Sequence, residues 1–362
     1  MKLVATVRLK PSREQAKALR ETLARCNEAC TWLAQAGFEA KTFRKANLQK
    51  TAYREVRERF ALTAQAALLC IYKVADAFAV NRRVAPRFRR DAAQPYDDRI
   101  FRFVQNGEAV SIWTLEGRIV VPCTTGDYQR RLLAYRKGQA DLALIRGKWF
   151  LVCTCDVPET EGFDPEDWLG VDLGIVTIAT DSDGRAYTGE AVEAVRSWHD
   201  GRKRVLQSIG TKAAKRRLRK LSGRQRRFQR HNNHVIAKAL VQTAQRTGRG
   251  IALEDLRHIR RRVTARREGR ARLHNWSFGQ LRAFVAYKAK LAGVPVAYVD
   301  PKHTSIGCSC CGVIDKRNRP AQASFSCVAC GHAAPADVNA AVNIRFRAAR
   351  ASVTTPDVLT AA

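Results

Sequence analysis

Acidic residues are scarce in this chain: 33 Asp+Glu stand against 65 Lys+Arg over 362 residues, a formal net charge of +32. A compact molecule with that surplus repels itself unless a polyanion neutralises it, so nucleic acid is the leading partner before any motif is read. Of the 65 cations, 47 are Arg, whose fork-shaped guanidinium suits bidentate phosphate contacts. Long apolar runs are missing too. No stretch approaches the roughly 18 residues of a membrane span, and Met1–Arg8 has no signal-peptide core or cleavage pattern. The chain is therefore expected to be soluble and cytoplasmic, nucleoid-associated in a prokaryote, with no membrane partner. No internal repeat is visible. Global disorder is excluded, because 46% hydrophobic residues can bury the cores of two or three domains.

A disulfide framework is also lacking. The 11 Cys are odd in number, scattered at Cys26, Cys30, Cys70, Cys123, Cys153 and Cys155, then crowded at Cys308, Cys310, Cys311, Cys327 and Cys330. The crowd contains Cys308-x2-Cys311-Gly312 and Cys327-x2-Cys330-Gly331, with 15 residues between Cys311 and Cys327. Each Cys-x-x-Cys turn can present two thiolates to one tetrahedral Zn2+, and the glycine after each pair supplies the open backbone that such knuckles favour. Cys310 competes with its neighbours, but only Cys308 with Cys311 reproduces the Cys-x-x-Cys-Gly form of the second pair. The spacing predicts a four-cysteine structural zinc ribbon, against redox-active or free thiols. A closed four-thiolate site has no open position, so this metal should fold the segment and not react. His303 and His332 are reserve ligands, needed only if a cysteine were not bound.

Hydrophobic spacing divides the chain. Residues 3–9 read as a strand, the apolar spacing Ala16, Leu19, Leu23, Cys26, Cys30 as a helix, and 49–59 and 62–80 as two more helices. Beyond Pro86 the period changes to about two, giving short strands at 100–104, 109–114, 117–121, 142–145 and 149–157, broken by turns such as Asn106-Gly107. This predicts a small β-barrel with a helical insertion after its first strand; a generic antiparallel sheet fits the same stretch. Acidic and turn-forming residues at 158–167 mark a boundary. The second domain opens with a buried strand at 168–172 and hairpin strands around the turn Asp181–Gly184. From Arg202 to Arg230 there are 13 Lys/Arg and no Asp or Glu, read as one basic helix, with a second, amphipathic helix from Val235 to a stop at Gly248. Strands follow at 250–253 and 294–299. Between them come an arginine-rich loop at 257–272, holding eight Arg and one Glu, and a helix opened by the capping box Ser277-x-x-Gln280. Trp113, Trp149 and Trp276 are read as core rings, and His231 and His234 as capping or packing groups.

Three separated carboxylates carry the candidate chemistry. Asp172 lies inside Leu169-Gly-Val-Asp-Leu-Gly174, Glu254 follows the apolar Ile251-Ala-Leu253, and Asp337 sits where a helix starts just after the cysteine segment. A charge in a buried strand costs several kcal/mol unless something cationic meets it. A pair of divalent cations is the economical solution. Hard oxygen ligands suit Mg2+ or Mn2+, and two such ions serve phosphodiester cleavage. Singly, each acid also fits a cap or turn role. An Asp-x-Gly before a hairpin also grips phosphate in sugar-kinase and actin-like ATPases, but those folds carry neither this ribbon nor this basic excess.

At these residues the sequence resembles the TnpB family, transposon-encoded RNA-guided nucleases related to the type V CRISPR effectors. The resemblance rests on Gly170-Val-Asp-Leu-Gly174, Leu253-Glu-Asp-Leu256, Thr304-Ser305, Phe325-Ser-Cys-Val-Ala-Cys-Gly331 and Ala336-Asp-Val-Asn-Ala-Ala-x-Asn-Ile344. It extends less specifically to Leu9-Lys-Pro-Ser-x-x-Gln15, Tyr96-Asp-x-Arg99, Trp276 and Tyr287-Lys288. It implies an α+β N-terminal β-barrel with a helical insertion, followed by an α/β RNase H-like (RuvC) domain carrying an inserted zinc ribbon. Mapped on this sequence, the wedge-like barrel occupies 1–160, with a recognition insert at about 12–95. The nuclease domain occupies 166–350, the ribbon 303–333 and a flexible tail 351–362. The family's catalytic acids fall on Asp172, Glu254 and Asp337, and its zinc ligands on Cys308, Cys311, Cys327 and Cys330. Ile306-Gly307 and Pro335 depart from the family pattern without touching a ligand. A guide RNA and a target double-stranded DNA are the implied partners, and metal-dependent DNA cleavage the implied activity. The alternatives are a nuclease-silent RNA-guided DNA-binding regulator and a guide-free RuvC-like transposase.

Overall fold

The computed structural model describes residues 1–174, 177–188, 190–256 and 278–350. The arginine-rich segment 257–272, Trp276, the Ser277 cap and the tail 351–362 lie outside the described residues. The chain forms two compact units, Met1–Pro158 and Glu159–Ala362.

The first unit is a seven-stranded antiparallel sheet, nearly closed and barrel-like, with three helices inserted after its first strand. Strand β1 (Lys2–Leu9) leads through Ser12 into α1 (Arg13–Glu39), where Ser12 and Gln15 form a reciprocal capping box. Helices α2 (Lys45–Phe60) and α3 (Ala64–Val80) close a core with α1 around Leu33, Leu48, Val56, Ile71 and Phe78. The chain returns through β2 (Gln94–Tyr96), β3 (Phe101–Val104), β4 (Ala109–Thr114), β5 (Gly117–Thr124), a short α4 (Asp127–Leu133), β6 (Arg136–Ile145) and β7 (Lys148–Asp156). The order is β2-β6-β7-β1-β5-β4-β3, so β1 sits mid-sheet, pairing with β7 along its whole length. Its alternation puts Ala5, Val7 and Leu9 inside with Phe101, Val110, Leu142 and Leu151. Trp149 is a core ring, as its sequence context suggests, and Trp113 is half-buried.

The second unit is built on a five-stranded mixed sheet, β10-β9-β8-β11-β12. These strands are β8 (Trp168–Asp172), β9 (Thr177–Asp181), β10 (Ala186–Thr188), β11 (Gly250–Glu254) and β12 (Val296–Val299). Strands β8, β11 and β12 are parallel, and β9 and β10 form the antiparallel hairpin expected from the Asp181–Gly184 turn. The helices are α5 (Glu190–Ile209), α6 (Lys212–Thr247), α7 (Phe278–Ala292) and α8 (Ala336–Arg350).

The reading of one basic helix over 202–230 followed by another from 235 is corrected here. The break falls earlier: Gly210 turns at φ +65° and the Thr211 hydroxyl caps α6 by accepting from the Ala214 N–H at 3.2 Å. Helix α6 then runs unbroken through His231-Asn232-Asn233, because Asn233 is buried and its amide donates to Gln280 of α7 at 3.1 Å. Gly248, at φ +64°, ends it as expected.

Candidate functional site

Strand alternation decides which face the acids share. Leu169, Val171, Ile251 and Leu253 point to a core with Ile236 and Leu240 of α6 and Leu281 and Val285 of α7. Trp168, Ala252, Ala297 and Val299 point the other way, onto Ile344 and Ala348 of α8. By the period of two, Gly170, Asp172 and Glu254 belong to the α8 face. The parallel register matches Leu253 with Val171, so Glu254 and Asp172 are adjacent at the carboxyl ends of neighbouring strands. That is the end of a parallel sheet where ligands bind.

Helix α8 supplies the third acid, Asp337, in its first turn. Its backbone comes hard against β8: a Cβ on Gly170 would lie 2.0 Å from the Ala341 carbonyl oxygen and 2.6 Å from the Arg345 nitrogen. The Arg345 guanidinium fixes the same approach with a fork to Asp167, Nε to Oδ1 at 2.9 Å and Nη2 to Oδ2 at 2.8 Å.

Asp172 feels both of the other carboxylates. Asp172 is pushed up to about 7, first by burial, then by the charges of Glu254 and Asp337, while Arg319 pulls the other way. Glu254, 7% exposed, is raised by burial and partly restrained by its hydrogen bond from the Thr304 hydroxyl. Arg319 stands 3.6 Å from Asp337. Mutually repelling carboxylates at a buried sheet edge form a hard-oxygen donor set, which fits Mg2+ or Mn2+.

The cysteine segment converges more tightly. The sulfur atoms of Cys308, Cys311, Cys327 and Cys330 all lie within 4.8 Å of one another; among the described residues no other group of three or more potential ligands does so. The carboxylates therefore face one another more loosely than the thiols. Two like turns present the sulfurs. Gly312 N–H donates to the Cys308 carbonyl and Gly331 N–H to the Cys327 carbonyl, each at 3.0 Å, with the glycines at φ +78° and +72°. The Cys308 N–H reaches Val313 O at 3.0 Å and the Cys327 N–H reaches His332 O at 2.8 Å, completing the same pattern twice. Buried Asn318 ties the turns together, donating to Ile306 O and Val313 O and accepting from Val328 N–H. Strands β13 (Ser324–Ser326) and β14 (Ala333–Pro335) pair beneath the second turn and lead into α8. Cys327 is pulled down to about 6, first by a backbone N–H of Cys330. Cys310, His303 and His332 stand outside the group of four. A four-thiol donor set at this spacing fits Zn2+.

Sequence reasoning assigned no role to Arg319, Thr304, Asn339 or Asn343. A signal for the last three was present in the Thr304-Ser305 and Asn339-x3-Asn343 motifs, and for Arg319 there was none; one sequence does not say which carbonyls an amide will reach. His231 is exposed, and the His234 ring stacks on Phe284 at 3.7 Å, a packing role as expected.

The site is thus a carboxylate cluster at the carboxyl edge of a mixed α/β sheet, with a four-cysteine segment inserted before the last helix. Known proteins are similar to this chain over both regions. The "Probable transposase" family model OrfB_IS605 matches residues 152–258, and the model of the Cas12f1-like TNB domain matches 278–344. A CRISPR-associated endodeoxyribonuclease Cas12f1 of Sulfoacidibacillus thermotolerans is 34% identical over 55% of this chain and 50% of its own length. The TnpB-like protein MJ0751 of Methanocaldococcus jannaschii is 27% identical over 68% of this chain and 92% of its own. The alignment thus spans half the length of the first relative. In fold, the chain resembles Cas12f1 as seen in its sgRNA–target DNA complex, with a TM-score of 0.56 at 15% identity over 91% of this chain and 81% of that one. Over these segments the chain is similar to TnpB-like and Cas12f1 proteins.

Proposed function

We propose that the chain is an RNA-guided, metal-dependent DNA endonuclease of a transposable element, with a RuvC-type two-metal site at Asp172, Glu254 and Asp337 and a structural zinc ribbon at Cys308, Cys311, Cys327 and Cys330. The observation that carries this reading is the register that puts Asp172 beside Glu254 on the face covered by α8, with Asp337 in its first turn. The names of the relatives and the +32 charge support it from independent directions.

In this reading, guide pairing supplies sequence recognition and the cationic surface grips the backbone of the heteroduplex. Asp172 and Glu254 hold the divalent cations from the sheet edge, and Asp337 completes the set from the helix. Those cations, when bound, supply an activated water and stabilise the leaving oxygen. Arg319 offsets the negative charge of the cluster. The first unit takes the role of wedge and recognition insert, and the thiolate-closed ribbon folds the lead-in to α8.

The test is cleavage of double-stranded DNA by protein purified with its RNA, in Mg2+, comparing wild type with Asp172→Ala. Wild type is expected to cut and the variant to lose cutting. Equal cleavage by both would overturn the site assignment, and wild-type cleavage surviving complete removal of RNA would turn the reading to a guide-free transposase.

A further inference from the structure

The segment 304–309 is held by one face of α8. Asn339 and Asn343, four residues apart, lie one turn apart on that helix. Asn339 donates to Gly307 O at 2.8 Å and accepts from Ser309 N–H at 3.0 Å. Asn343 donates to Thr304 O at 2.9 Å and to Gly307 O at 2.8 Å. The held segment has chemistry at both ends. Its first residue, Thr304, is 2% exposed and turns its hydroxyl onto Glu254 Oε1. Cys308, 2% exposed, enters the four-sulfur group. The same helix carries Asp337.

Thr304 has one hydroxyl proton and two acceptors within reach, Glu254 Oε1 and, at 3.0 Å, Pro301 O. The Pro301 contact fixes the hydroxyl's position whichever acceptor holds the proton. Glu254 is the last residue of its strand, paired through its backbone with Val299, and its side chain is held by other groups. Among the described residues, no other side chain donates to its carboxylate in this structure. Without the hydroxyl, the carboxylate is free to rotate away from Asp172.

We infer that Thr304 is the positioning residue of Glu254, and that Asn343 and Asn339 make its placement depend on the folded cysteine turn, so that the four-cysteine group and the carboxylate site are one mechanical unit. The inference rests on the proposed metal-binding role of the acids. Outer-shell partners of metal ligands contribute about 10–100-fold to metal affinity, which sets the scale of the expected effect.

The experiment measures Mn2+ binding to the full chain with its co-purified RNA, by electron paramagnetic resonance and calorimetry, beside the thermal midpoint of each variant. Thr304→Val is expected to weaken Mn2+ binding by about tenfold or more. Thr304→Ser, which keeps the hydroxyl, should bind as wild type does. Asn343→Ala should weaken binding in the same direction although it touches neither acid. Should Thr304→Val fail to fold, Asn343→Ala carries the test, since it leaves the Thr304 hydroxyl in place. Wild-type Mn2+ affinity in folded Thr304→Val or, where that variant does not fold, in Asn343→Ala overturns the inference, provided Asp172→Asn loses binding. If Asp172→Asn also binds Mn2+ normally, the metal site itself is wrong and the inference falls with it.

Discussion

Gly170 and Ala341 touch backbone to backbone. A Cβ on Gly170 would stand 2.0 Å from the Ala341 carbonyl oxygen, in a place where strand and helix are both main chain and neither can swing aside. The contact sets the height of α8 above β8, and hence the reach of Asp337 toward Asp172. Gly170→Ala is therefore expected to lift the helix. It should cost ~2–3 kcal/mol of stability, the scale of overpacking in a rigid core. It should also weaken divalent-ion binding more than its stability loss explains. Thermal melting together with Mn2+ titration checks both; an unchanged Mn2+ affinity would mean α8 is not placed by this contact.

The carboxylate cluster gives stability a distinct pH dependence in the metal-free chain. Asp172 ordinarily titrates near 3.8 when exposed and is raised to about 7 in the fold, first by burial. Between those values the folded chain keeps a proton that the unfolded chain has lost, so stability falls as pH rises through this window and levels off above it. Asp172→Asn removes the penalty. In buffer free of Mg2+ and Mn2+ but without chelator, so that the zinc stays in place, the variant should be more stable than wild type at about pH 8, by at most about 4 kcal/mol at 1.36 kcal/mol per unit, and nearly equal at about pH 4. Added Mg2+ should reverse the order at pH 8, because the cation favours the ionised acid. Urea melts at the two pH values decide it; a difference independent of pH would sink the assignment.

How far the site could be read from the sequence depended on whether the signal was local. The cysteine turns were legible because both ligands and the glycine that follows lie within five residues, and the two copies repeat. The helix boundaries around α6 were misread because Gly210 looks like an ordinary residue in a basic run, while His231-Asn232-Asn233 looks like a break. Gln280, far along the chain, supplies the partner that keeps Asn233 helical. Asp337 was legible as an acid at a helix start, and Asp172 and Glu254 as charged residues in apolar strands. Their sharing of one face follows from strand parity, but their adjacency required the parallel pairing of β8 with β11, which spacing alone does not specify. The contacts of Arg319 and Thr304 were not legible for the same reason: each meets its acid only once the chain is folded.

Zinc removal should reach beyond the cysteine segment. About one zinc per chain is expected from elemental analysis of protein prepared without chelator. Chelation should unfold the paired turns, since the metal would be what joins the four sulfurs of the two turns. Hydrogen exchange should then rise at 304–335 and spread to the first turn of α8, where Asp337 sits. Protection that persists at 304–335 after zinc is gone would show that hydrogen bonding alone maintains the turns.

The basic surface of α6 is a part of the charge surplus that can be tested on described residues. Arg216, Arg219, Arg227 and Arg230 are all exposed and follow one side of the helix at spacings of three, eight and three. Cations that contact phosphate release condensed counterions, so each contact removed should lower the slope of log affinity against log salt by about 0.9 for duplex DNA. Replacing the four by Gln is expected to flatten that slope by up to about 3.6 and to weaken binding alike for all sequences, because backbone contacts carry no base information. Binding of a fixed duplex or RNA–DNA hybrid across a salt series measures it directly. A slope unchanged from wild type would make this helix a solvated face that serves solubility, and would move the nucleic-acid contact to other cations of the chain.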